Sequence, residues 1–376
     1  MVDDGLKARA IKARDWMLDA SFPFWAHRGI HPELGFRERL TVLGDPINDL
    51  DTRVRLQARQ TFCFAFAQVM GWSDPRASAY VARGIDTLTG HCRRPDGLYG
   101  ARMAYTGGLS EDSADLYDTA FALLAFSWAA RTGADGAVEA ALAASQAIET
   151  VLKRPASEGG YREALPAPAH RLQNPHMHLF ESSLALYEAT GDETALARAT
   201  GIEKLLETRF LQPGTGALRE VFAMDWGPAE GDRLEAGHQY EWVWLMGERA
   251  RLTGKTVSPA AEGLYANALK LTGPEGEVAL SHTLDGDILD STERTWGLTE
   301  ALKAHLARIE QGDSAATARA IESFDRMWAR HVVPAPQGGW LDKYGPDGEP
   351  DLSDMTAATG YHIYVAIAEL MRVAGI

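Results

Sequence analysis

The sequence predicts an all-α protein, an (α/α)6 barrel of six helical hairpins arranged in an inner and an outer layer. Three observations support this fold class. Helical periodicity dominates the 376 residues, the connections between helices alternate between short and long, and a glycine motif recurs six times. The last helix is apolar throughout, which favours a closed ring over an open solenoid with polar capping helices.

Apolar periodicity predicts twelve helices. Their ranges are 6–21, 52–71, 75–91, 114–131, 135–153, 176–190, 193–208, 237–253, 257–271, 292–310, 314–331 and 354–374. Short links such as 131–135 and 190–193 join some of them, whereas links of roughly 17 to 30 residues precede the even-numbered helices. If the helices pair antiparallel, every long link lies at the same end of the molecule, where sites on rigid scaffolds usually occur.

A glycine followed by an apolar residue recurs in the long links, at Gly35, Gly97, Gly160, Gly216, Gly276 and Gly339. Successive glycines are 62, 63, 56, 60 and 63 residues apart, which indicates six repeats of one two-helix unit. We expect the apolar even-numbered helices to form the inner layer and the amphipathic odd-numbered helices the outer layer. Small β-hairpins are expected in the long links, and residues 1–376 are expected to form a single catalytic domain.

Composition restricts the class of protein. A net charge of −15 disfavours binding to the phosphate backbone of nucleic acids. The two cysteines, Cys63 and Cys92, lie in helical contexts and predict neither a disulfide framework nor a cysteine-based zinc site. The first residues lack a signal-peptide pattern, and no run of eighteen apolar residues occurs. We therefore expect a soluble, cytoplasmic protein, either a monomer or a homodimer, that does not associate with membranes.

Histidines near the starts of the even-numbered helices are the strongest candidates for a site. His178 and Glu181 are three residues apart in NPHMHLFESSLALY, and His238 and Glu241 repeat this spacing in EAGHQYEWVW. Residues three apart share one face of a helix. A lone histidine in an apolar helix is more often a core residue, but His362 occupies the equivalent place in a third unit. Barrel geometry would bring the three histidines together at one mouth.

Further polar and aromatic residues share this position in the repeat, namely Arg59, Tyr117, Asp118, Asn174, Arg294 and Trp296. Apolar neighbours surround Arg59, so its charge needs a partner, although Arg53 and Arg55 nearby also fit a solvated face. Tyr117 and Trp296 are weaker candidates, because aromatic residues at helical spacing more often belong to the core.

Three tryptophans fall in the predicted long links, namely Trp25, Trp226 and Trp340. Aromatic rings in such loops commonly stack on sugars, and they also pack as ordinary loop anchors.

These residue types suit proton transfer next to a carbonyl group. Imidazole titrates near neutrality, so a pair of histidines can move a proton between carbon and oxygen positions. Glu181 and Glu241 can orient the rings or polarise substrate hydroxyls. Arg59 can stabilise the negative charge that develops on an enediolate oxygen.

The segments FWAHRGIHPELGFRERL, RLQARQTFCFA, DLYDTAFALLA, NPHMHLFESSLAL, EAGHQYEWVWL and TGYHIY together resemble the N-acylglucosamine 2-epimerase superfamily, and within it most closely the D-mannose isomerases. The resemblance runs from about Phe22 to Tyr364 and implies an (α/α)6 barrel. It also implies that His238 and His362 are a general acid/base pair acting through a cis-enediol, and that His178 lies in the pocket and aids ring opening.

By the same resemblance, Arg59, Tyr117, Asn174 and Glu241 match sugar-binding positions, and neither a metal nor a nucleotide is required. Glu181, Arg294 and Trp296 are added as candidate substrate contacts. We therefore expect an aldose–ketose isomerase that interconverts D-mannose and D-fructose, with D-lyxose and D-xylulose as a further pair. A 2-epimerase of mannose, glucose or N-acylglucosamine stays open, because both reactions begin by removing the C2 proton.

Four further functions stay open, and they would rely on different features of the chain. A phosphorylated or sulfonated sugar would be held by Arg37, Arg162, Arg219 and Arg233. A glycoside hydrolase would draw its two carboxylates from Asp115, Asp118, Glu181, Glu241 and Asp354. A metal-dependent isomerase would use His178, Glu181, His238 and Glu241 as ligands. A helical toroid that only binds its ligand would involve no catalysis.

Overall fold

The computed structural model describes residues 3–376 and confirms the (α/α)6 barrel. In chain order the α-helices are α1 (Asp4–Trp16), α2 (Phe22–Arg28), α3 (Val54–Val69), α4 (Ala77–Thr87), α5 (Leu116–Arg131), α6 (Ala137–Ala147), α7 (Asn174–Thr190), α8 (Glu193–Leu205), α9 (Ala236–Thr253), α10 (Ala260–Leu271), α11 (Thr295–Glu310), α12 (Ala316–Met327) and α13 (Gly360–Ala374). The predicted helices correspond to these elements, with α1 and α2 together forming the first.

The inner layer is a closed ring. Each of the inner helices α3, α5, α7, α9, α11 and α13 contacts the next, and α13 contacts α3. The outer helices α4, α6, α8, α10 and α12 each pack on the inner helix that precedes them, and α1 packs on α13. The first and last helices of the chain therefore form the sixth hairpin.

The two layers differ in how much of each helix is buried. Inner helix α5 buries residues on all sides, because it has helical neighbours on either flank and a layer behind it. Outer helix α8 buries Ala195, Ala199, Ile202 and Leu205, which are three or four residues apart and so form one stripe. The sequence patterns that separated inner from outer helices therefore follow directly from this packing.

The ends of two helices differ from the prediction by more than about three residues, which is beyond the usual uncertainty of helix boundaries. The first helix was expected to end at residue 21, but it continues through a π-helical turn (Met17–Ser21) into α2 and ends at Arg28. Pro23 lies in the first turn of α2, where proline is tolerated. Phe22 and Trp25 extend the buried face, with 1% and 2% of their surface exposed. The last helix begins at Gly360 rather than at residue 354, after a 3-10 turn (Ala357–Thr359).

Further π-helical turns end four outer helices, at Leu88–Cys92, Ile148–Leu152, Leu206–Phe210 and Trp328–Val332. None of the helices formed by residues 3–376 is long and apolar enough to cross a membrane. Cys63 and Cys92 are buried, free thiols, in agreement with the sequence.

Short strands occupy the six long links. They are β1 (Arg39–Leu40), β2 (Thr52–Arg53), β3 (Gly100–Met103), β4 (Leu109–Asp115), β5 (Ala164–Leu165), β6 (Arg171–Leu172), β7 (Val221–Phe222), β8 (Ala279–His282), β9 (Ile288–Arg294), β10 (Lys343–Tyr344) and β11 (Met355–Thr356). The hairpins β3–β4 and β8–β9 are the β-hairpins that the sequence predicts.

Antiparallel strand pairs join each long link to the next. The pairs β2–β3, β4–β5, β6–β7, β9–β10 and β1–β11 each connect two links, and a bridge between Leu234 and His282 connects the fourth link to the fifth. The links therefore form a continuous ring at one end of the barrel. This is the end at which all six inner helices begin.

The recurring glycine is needed for a left-handed turn in each link. Five of the six predicted glycines have φ between 51° and 87°, and in the sixth unit Gly338, with φ of 91°, takes this place instead of Gly339. At Gly35 a Cβ atom would clash with the side chain of Gln57. The Gln57 side chain is fixed there because it accepts a hydrogen bond from the backbone N–H of Phe36 at 2.9 Å.

The three tryptophans of the predicted links are packing residues, which is the second of the two alternatives that the sequence left open. Trp25 and Trp340 are 2% and 0% exposed and stack on each other with ring centroids 4.5 Å apart. Trp226 donates a hydrogen bond to the carbonyl oxygen of Glu158 at 2.8 Å. The guanidinium of Arg171 lies 3.7 Å from its ring centroid and covers one face of the ring, and the Trp226 side chain is buried.

Candidate active site

A cavity of about 290 Å³ opens at the end of the barrel where the inner helices begin. Nine of the ten residues predicted to be catalytic or to contact the substrate line it, namely Arg59, Tyr117, Asn174, His178, His238, Glu241, Arg294, Trp296 and His362. They come from all six units. The prediction that equivalent positions of the repeat converge at one mouth therefore agrees with the geometry.

His238 lies in the first turn of α9 between two carboxylates. Its Nδ1 is 3.0 Å from Glu220 Oε1 and 3.3 Å from Glu235 Oε2. Burial lowers the pKa of His238, but the charges of Glu220 and Glu235 outweigh burial and raise it to about 10. The ring is therefore cationic at neutral pH.

The Nε2 atom of His238 is directed toward Asn174. Asn174 Nδ2 lies 3.2 Å from it, and Asn174 Oδ1 is buried without a partner among residues 3–376. A half-turn of the amide would present this oxygen to the N–H of a cationic imidazole. The Trp296 ring packs against the imidazole at a centroid distance of 5.0 Å. Gly237 makes this packing possible, because a Cβ there would clash with Trp296.

His362 is in the opposite electrostatic environment. Its Nδ1 is 2.8 Å from Glu300 Oε1, and the second oxygen of Glu300 is 2.7 Å from the buried ammonium of Lys303. The pKa of His362 is held well below its ordinary value of 6.5, mainly by burial and secondarily by the positive charges of Arg59 and Lys303. This ring is therefore neutral at neutral pH. One cavity thus contains a cationic and a neutral imidazole, the combination needed for an acid and a base.

His178 is the third histidine of the cavity, and Glu181 lies behind it. His178 Nδ1 donates to Glu181 Oε2 at 3.0 Å, and the hydroxyl of Tyr361 donates to Glu181 Oε1. Burial raises the pKa of Glu181, but these hydrogen bonds and the charge of His178 lower it overall. Glu181 does not line the sugar-sized cavity, so the expectation that it contacts a substrate does not fit its position. It faces an apolar cavity at the other end of the barrel.

Arg59 is held by aromatic rings instead of a carboxylate. Its Nη2 donates to the hydroxyl of Tyr117 at 2.7 Å. Its guanidinium carbon lies 4.2 Å from the ring centroid of Phe121 and 5.1 Å from that of Tyr361. These cation–π contacts are the partner that the sequence required for this charge. Because no carboxylate of the described residues pairs with it, the guanidinium retains its charge for a group in the cavity.

Glu241 contributes unpaired hydrogen-bond acceptors. Its side chain is 1% exposed, and neither carboxylate oxygen has a hydrogen-bond partner among the described residues. Buried polar atoms in folded proteins almost always have a partner. Together with Asn174 Oδ1, this carboxylate offers acceptors that the hydroxyl groups of a sugar can satisfy.

Sequence reasoning missed the carboxylates that contact the Nδ1 atoms of His238 and His362, namely Glu220 and Glu300. A signal for Glu220 was present, because an Arg-Glu pair follows the recurring glycine in both units: Glu220 lies four residues after Gly216, and Glu38 lies three residues after Gly35. Glu38 also holds the start of an inner helix, through Arg53 at 2.5 Å. Glu300 and Lys303 were detectable as charges three residues apart inside an inner helix that is otherwise largely apolar.

The residues of the alternative functions do not gather in this cavity. Arg37, Arg162 and Arg219 lie outside it: they bind the carbonyl oxygen of Arg28 at 2.9 Å, that of Val151 at 3.1 Å and the carboxylate of Asp232 at 2.5 Å. Only Arg233 of the predicted anion-binding set lines it. Two arginines outside that set, Arg53 and Arg55, also line the cavity. The sequence alone was equally consistent with these two residues lying on a solvated helix face.

The carboxylates of the glycoside hydrolase alternative do not share one cavity, and the four ligands of the metal-dependent alternative do not form one cluster. Asp115 and Asp118 line an adjoining pocket, and Asp354 pairs with Arg39 at 2.7 Å. The four residues of the predicted metal site divide into two groups. Donor atoms of His178, Glu181 and Glu241 lie within 4.8 Å of one another, whereas His238 groups with Glu220 and Glu235.

An inner ring of helices whose starts bring together paired histidines, carboxylates and an arginine defines an acid–base enzyme of the (α/α)6-barrel class. Residues 35–366 match the family described as N-acylglucosamine 2-epimerase (GlcNAc 2-epimerase). The chain belongs to this family of sugar isomerases and epimerases, as the sequence resemblance indicated.

Relatives in this family have more than one reaction in their names. The chain is 35% identical to a mannose-6-phosphate isomerase of Rhizobium meliloti (strain 1021), over 94% of this chain and 95% of the relative. It is 28% identical to a D-mannose isomerase of Thermobifida fusca, over 89% and 88% of the two chains.

Solved structures support the fold. A crystal structure of D-mannose isomerase is similar with a TM-score of 0.86 and 19% identity, over 98% of this chain and 97% of the other. The cellobiose 2-epimerase from Spirochaeta thermophila DSM 6192 has a TM-score of 0.88 and 20% identity over the same shares.

Proposed function

We propose that this protein is an aldose–ketose isomerase that interconverts D-mannose and D-fructose, or the same sugars carrying a substituent remote from C1 and C2. The observation that carries the proposal is the pair of imidazoles in opposite protonation states, cationic His238 and neutral His362, in one sugar-sized cavity. The names of the two relatives that share most of the chain support mannose as the sugar.

The proposed reaction is a proton transfer in two stages. Neutral His362 removes the C2 proton of the open-chain aldose while cationic His238 gives a proton to O1, which yields a cis-enediol. His238 then takes the proton of the C2 hydroxyl, and His362 returns its proton to C1, which yields the ketose. Both imidazoles recover their starting states, so no external acid, base, metal or nucleotide is consumed.

The other residues of the cavity have supporting roles in this proposal. Arg59 stabilises negative charge on the substrate oxygens during proton removal, because its guanidinium has no carboxylate partner among residues 3–376. Glu241 and Asn174 accept hydrogen bonds from sugar hydroxyls, and His178 assists ring opening. Tyr117 orients Arg59, while Arg294 and Trp296 form walls of the cavity. Since residues of all six units participate, we treat the whole chain as one catalytic domain.

A 2-epimerase is the second candidate, since the chain is also 25% identical over 311 residues to a cellobiose 2-epimerase of Ruminococcus albus. The same first step would serve it, followed by return of a proton to the opposite face of C2. Purified protein incubated with D-mannose in heavy water with a chelator, and followed by proton NMR, separates these outcomes. We expect fructose, with deuterium at C1 to the extent that the transferred proton exchanges. Glucose deuterated at C2 would establish the epimerase instead, and a requirement for added metal would contradict the proposed mechanism.

The pH dependence of kcat/KM provides a test of the acid and base assignments. Activity should persist below pH 6.5, because His362 stays neutral there, and should fall only near pH 10, where His238 loses its proton. Glu220→Gln removes one carboxylate charge from His238 and should move the alkaline limb down by roughly one to three pH units. The exposed Glu262→Gln is the matched control. An alkaline limb that stays in place in the Glu220 variant would contradict the role of His238.

A further inference from the structure

Arginines are concentrated around the sugar cavity although the protein has a net charge of −15. Five arginines line the cavity, namely Arg53, Arg55, Arg59, Arg233 and Arg294, against only two carboxylates, Glu235 and Glu241. We infer that the mouth of the cavity is an anion subsite, and that Arg55 determines a preference for a sugar carrying a phosphate or sulfonate group remote from C1 and C2. This inference rests on the proposed function and specifies the substrate class of the same site.

Most of these arginines already have partners. Arg53 is 2.5 Å from a carboxylate oxygen of Glu38. Arg233 is 2.6 Å from Glu235, and Arg294 is 2.8 Å from Asp342. Each of these pairs fixes a guanidinium and neutralises most of its charge. Arg59 is held deeper in the cavity by the hydroxyl of Tyr117 and by aromatic rings.

Arg55 is different, because its guanidinium makes no hydrogen bond to any of residues 3–376. The carboxylate of Asp118 is the acid nearest to it, and Asp118 Oδ1 lies 3.8 Å from Nε, beyond hydrogen-bond range. Its side chain is 33% exposed, and its guanidinium carbon lies 5.2 Å from the ring centroid of Tyr117. The planar donor fork that arginine uses to bind phosphate is therefore intact and unoccupied.

The position of Arg55 matches the far end of a bound sugar. Arg55 lies in the first turn of α3, four residues before Arg59, so the two side chains share one face of the helix. Arg59 reaches toward the histidines, while Arg55 also lines an adjoining pocket of about 310 Å³. A group that projects outward from a sugar held by the histidines would pass Arg55 on its way into this space.

The adjoining pocket also contains acidic residues, which have partners of their own. The Asp118 carboxylate accepts a hydrogen bond from the backbone N–H of Arg55 at 3.0 Å, and the Asp115 carboxylate accepts one from the backbone N–H of Asp118 at 3.0 Å. Burial and the neighbouring Asp115 raise the pKa of Asp118 to about 7, which reduces the negative charge that this pair presents at neutral pH. The repulsion that an incoming anion would meet is correspondingly smaller.

Steady-state isomerisation of three sugars provides the test: D-mannose, D-mannose 6-phosphate and a 6-sulfonated mannose. We expect kcat/KM for at least one anionic sugar to exceed that for mannose by roughly ten- to a hundredfold at low salt, as for a hydrogen bond to a charged group. Added salt should reduce this preference. The two anionic sugars distinguish phosphate from sulfonate as the group that is bound.

Arg55→Gln should remove most of the preference by raising KM for the anionic sugar, with a much smaller change in kcat. Arg76→Gln is the matched control, because Arg76 is 64% exposed, pairs with Asp74 at 2.7 Å and lines neither the sugar cavity nor the adjoining pocket. Equal kcat/KM for all three sugars, or an Arg55→Gln variant with the same preference as the unmodified protein, would overturn the anion subsite and leave the isomerase standing. Failure to isomerise any of the three sugars would overturn the proposed function itself.

Discussion

Replacement of His362 by asparagine will lower the rate of isomerisation by roughly 10²- to 10⁴-fold, the range expected for loss of a general base. His362 is the neutral imidazole of the cavity, and its Nδ1 is fixed by Glu300 at 2.8 Å, which leaves Nε2 for the substrate. The variant should also lose the exchange of the C2 proton with solvent, because no other neutral base of this kind faces C2 in the proposed reaction. Proton NMR in heavy water measures both rates.

The control for this prediction must separate chemistry from folding. His170 is exposed in a long link, so His170→Asn should retain full activity and the same thermal unfolding midpoint. The His362 variant should share that midpoint within a few degrees. Unimpaired exchange of the C2 proton in a folded His362→Asn protein would assign the base to another residue, and His178 would then be the next to replace.

The second large effect concerns stability. Arg171→Leu should lower the free energy of unfolding by about 3 to 5 kcal/mol, the cost of breaking a buried ion pair from one side. Arg171 is 0% exposed, and its Nε donates to Glu163 Oε1 at 2.7 Å. Its removal would leave the buried Glu163 carboxylate with only a 3.5 Å contact to Arg154, and would uncover the Trp226 ring. Urea unfolding followed by tryptophan fluorescence measures the change.

Two further variants identify the cause of that loss. Arg162→Leu removes an arginine of the same link that makes one hydrogen bond, to the carbonyl oxygen of Val151, and should cost less than about 1 kcal/mol. Adding Glu163→Leu to Arg171→Leu should recover part of the stability, because the unpaired charge is then absent. A double variant that is less stable than Arg171→Leu alone would mean that packing, and not the buried charge, dominates at this position.

Much of the site was predictable because it obeys the repeat. The glycine spacing fixed the number of units, and His178, His238 and His362 stand at equivalent places in three of them, so closure of the ring was enough to bring them together. The contact between His178 and Glu181 also followed from local spacing, since residues three apart share a helix face. Whether His178 or Glu181 lies toward the cavity depends on the tilt of α7 in the barrel, and no local sequence pattern reports that tilt.

The features of the site that the sequence did not predict depend on contacts between distant parts of the chain. The protonation state of His238 depends on Glu220, which is 18 residues away, and that of His362 depends on burial and on the charges of Arg59 and Lys303. Trp226 stayed open between sugar stacking and loop packing because its covering residue, Arg171, is remote in the sequence. Arg37, Arg162 and Arg219 stayed candidates for an anionic ligand because no sequence pattern reports their hydrogen-bond partners, Arg28, Val151 and Asp232.

The parallel orientation of the six inner helices has an electrostatic consequence. Each helix carries a macrodipole whose positive end, equivalent to about half an elementary charge, lies at its first turn. All six positive ends point into the same cavity, and Asn174, His238 and His362 lie within the first three residues of their helices. The backbone itself therefore favours negative charge at the place where the substrate reacts, although the side chains of the protein carry a net negative charge of −15.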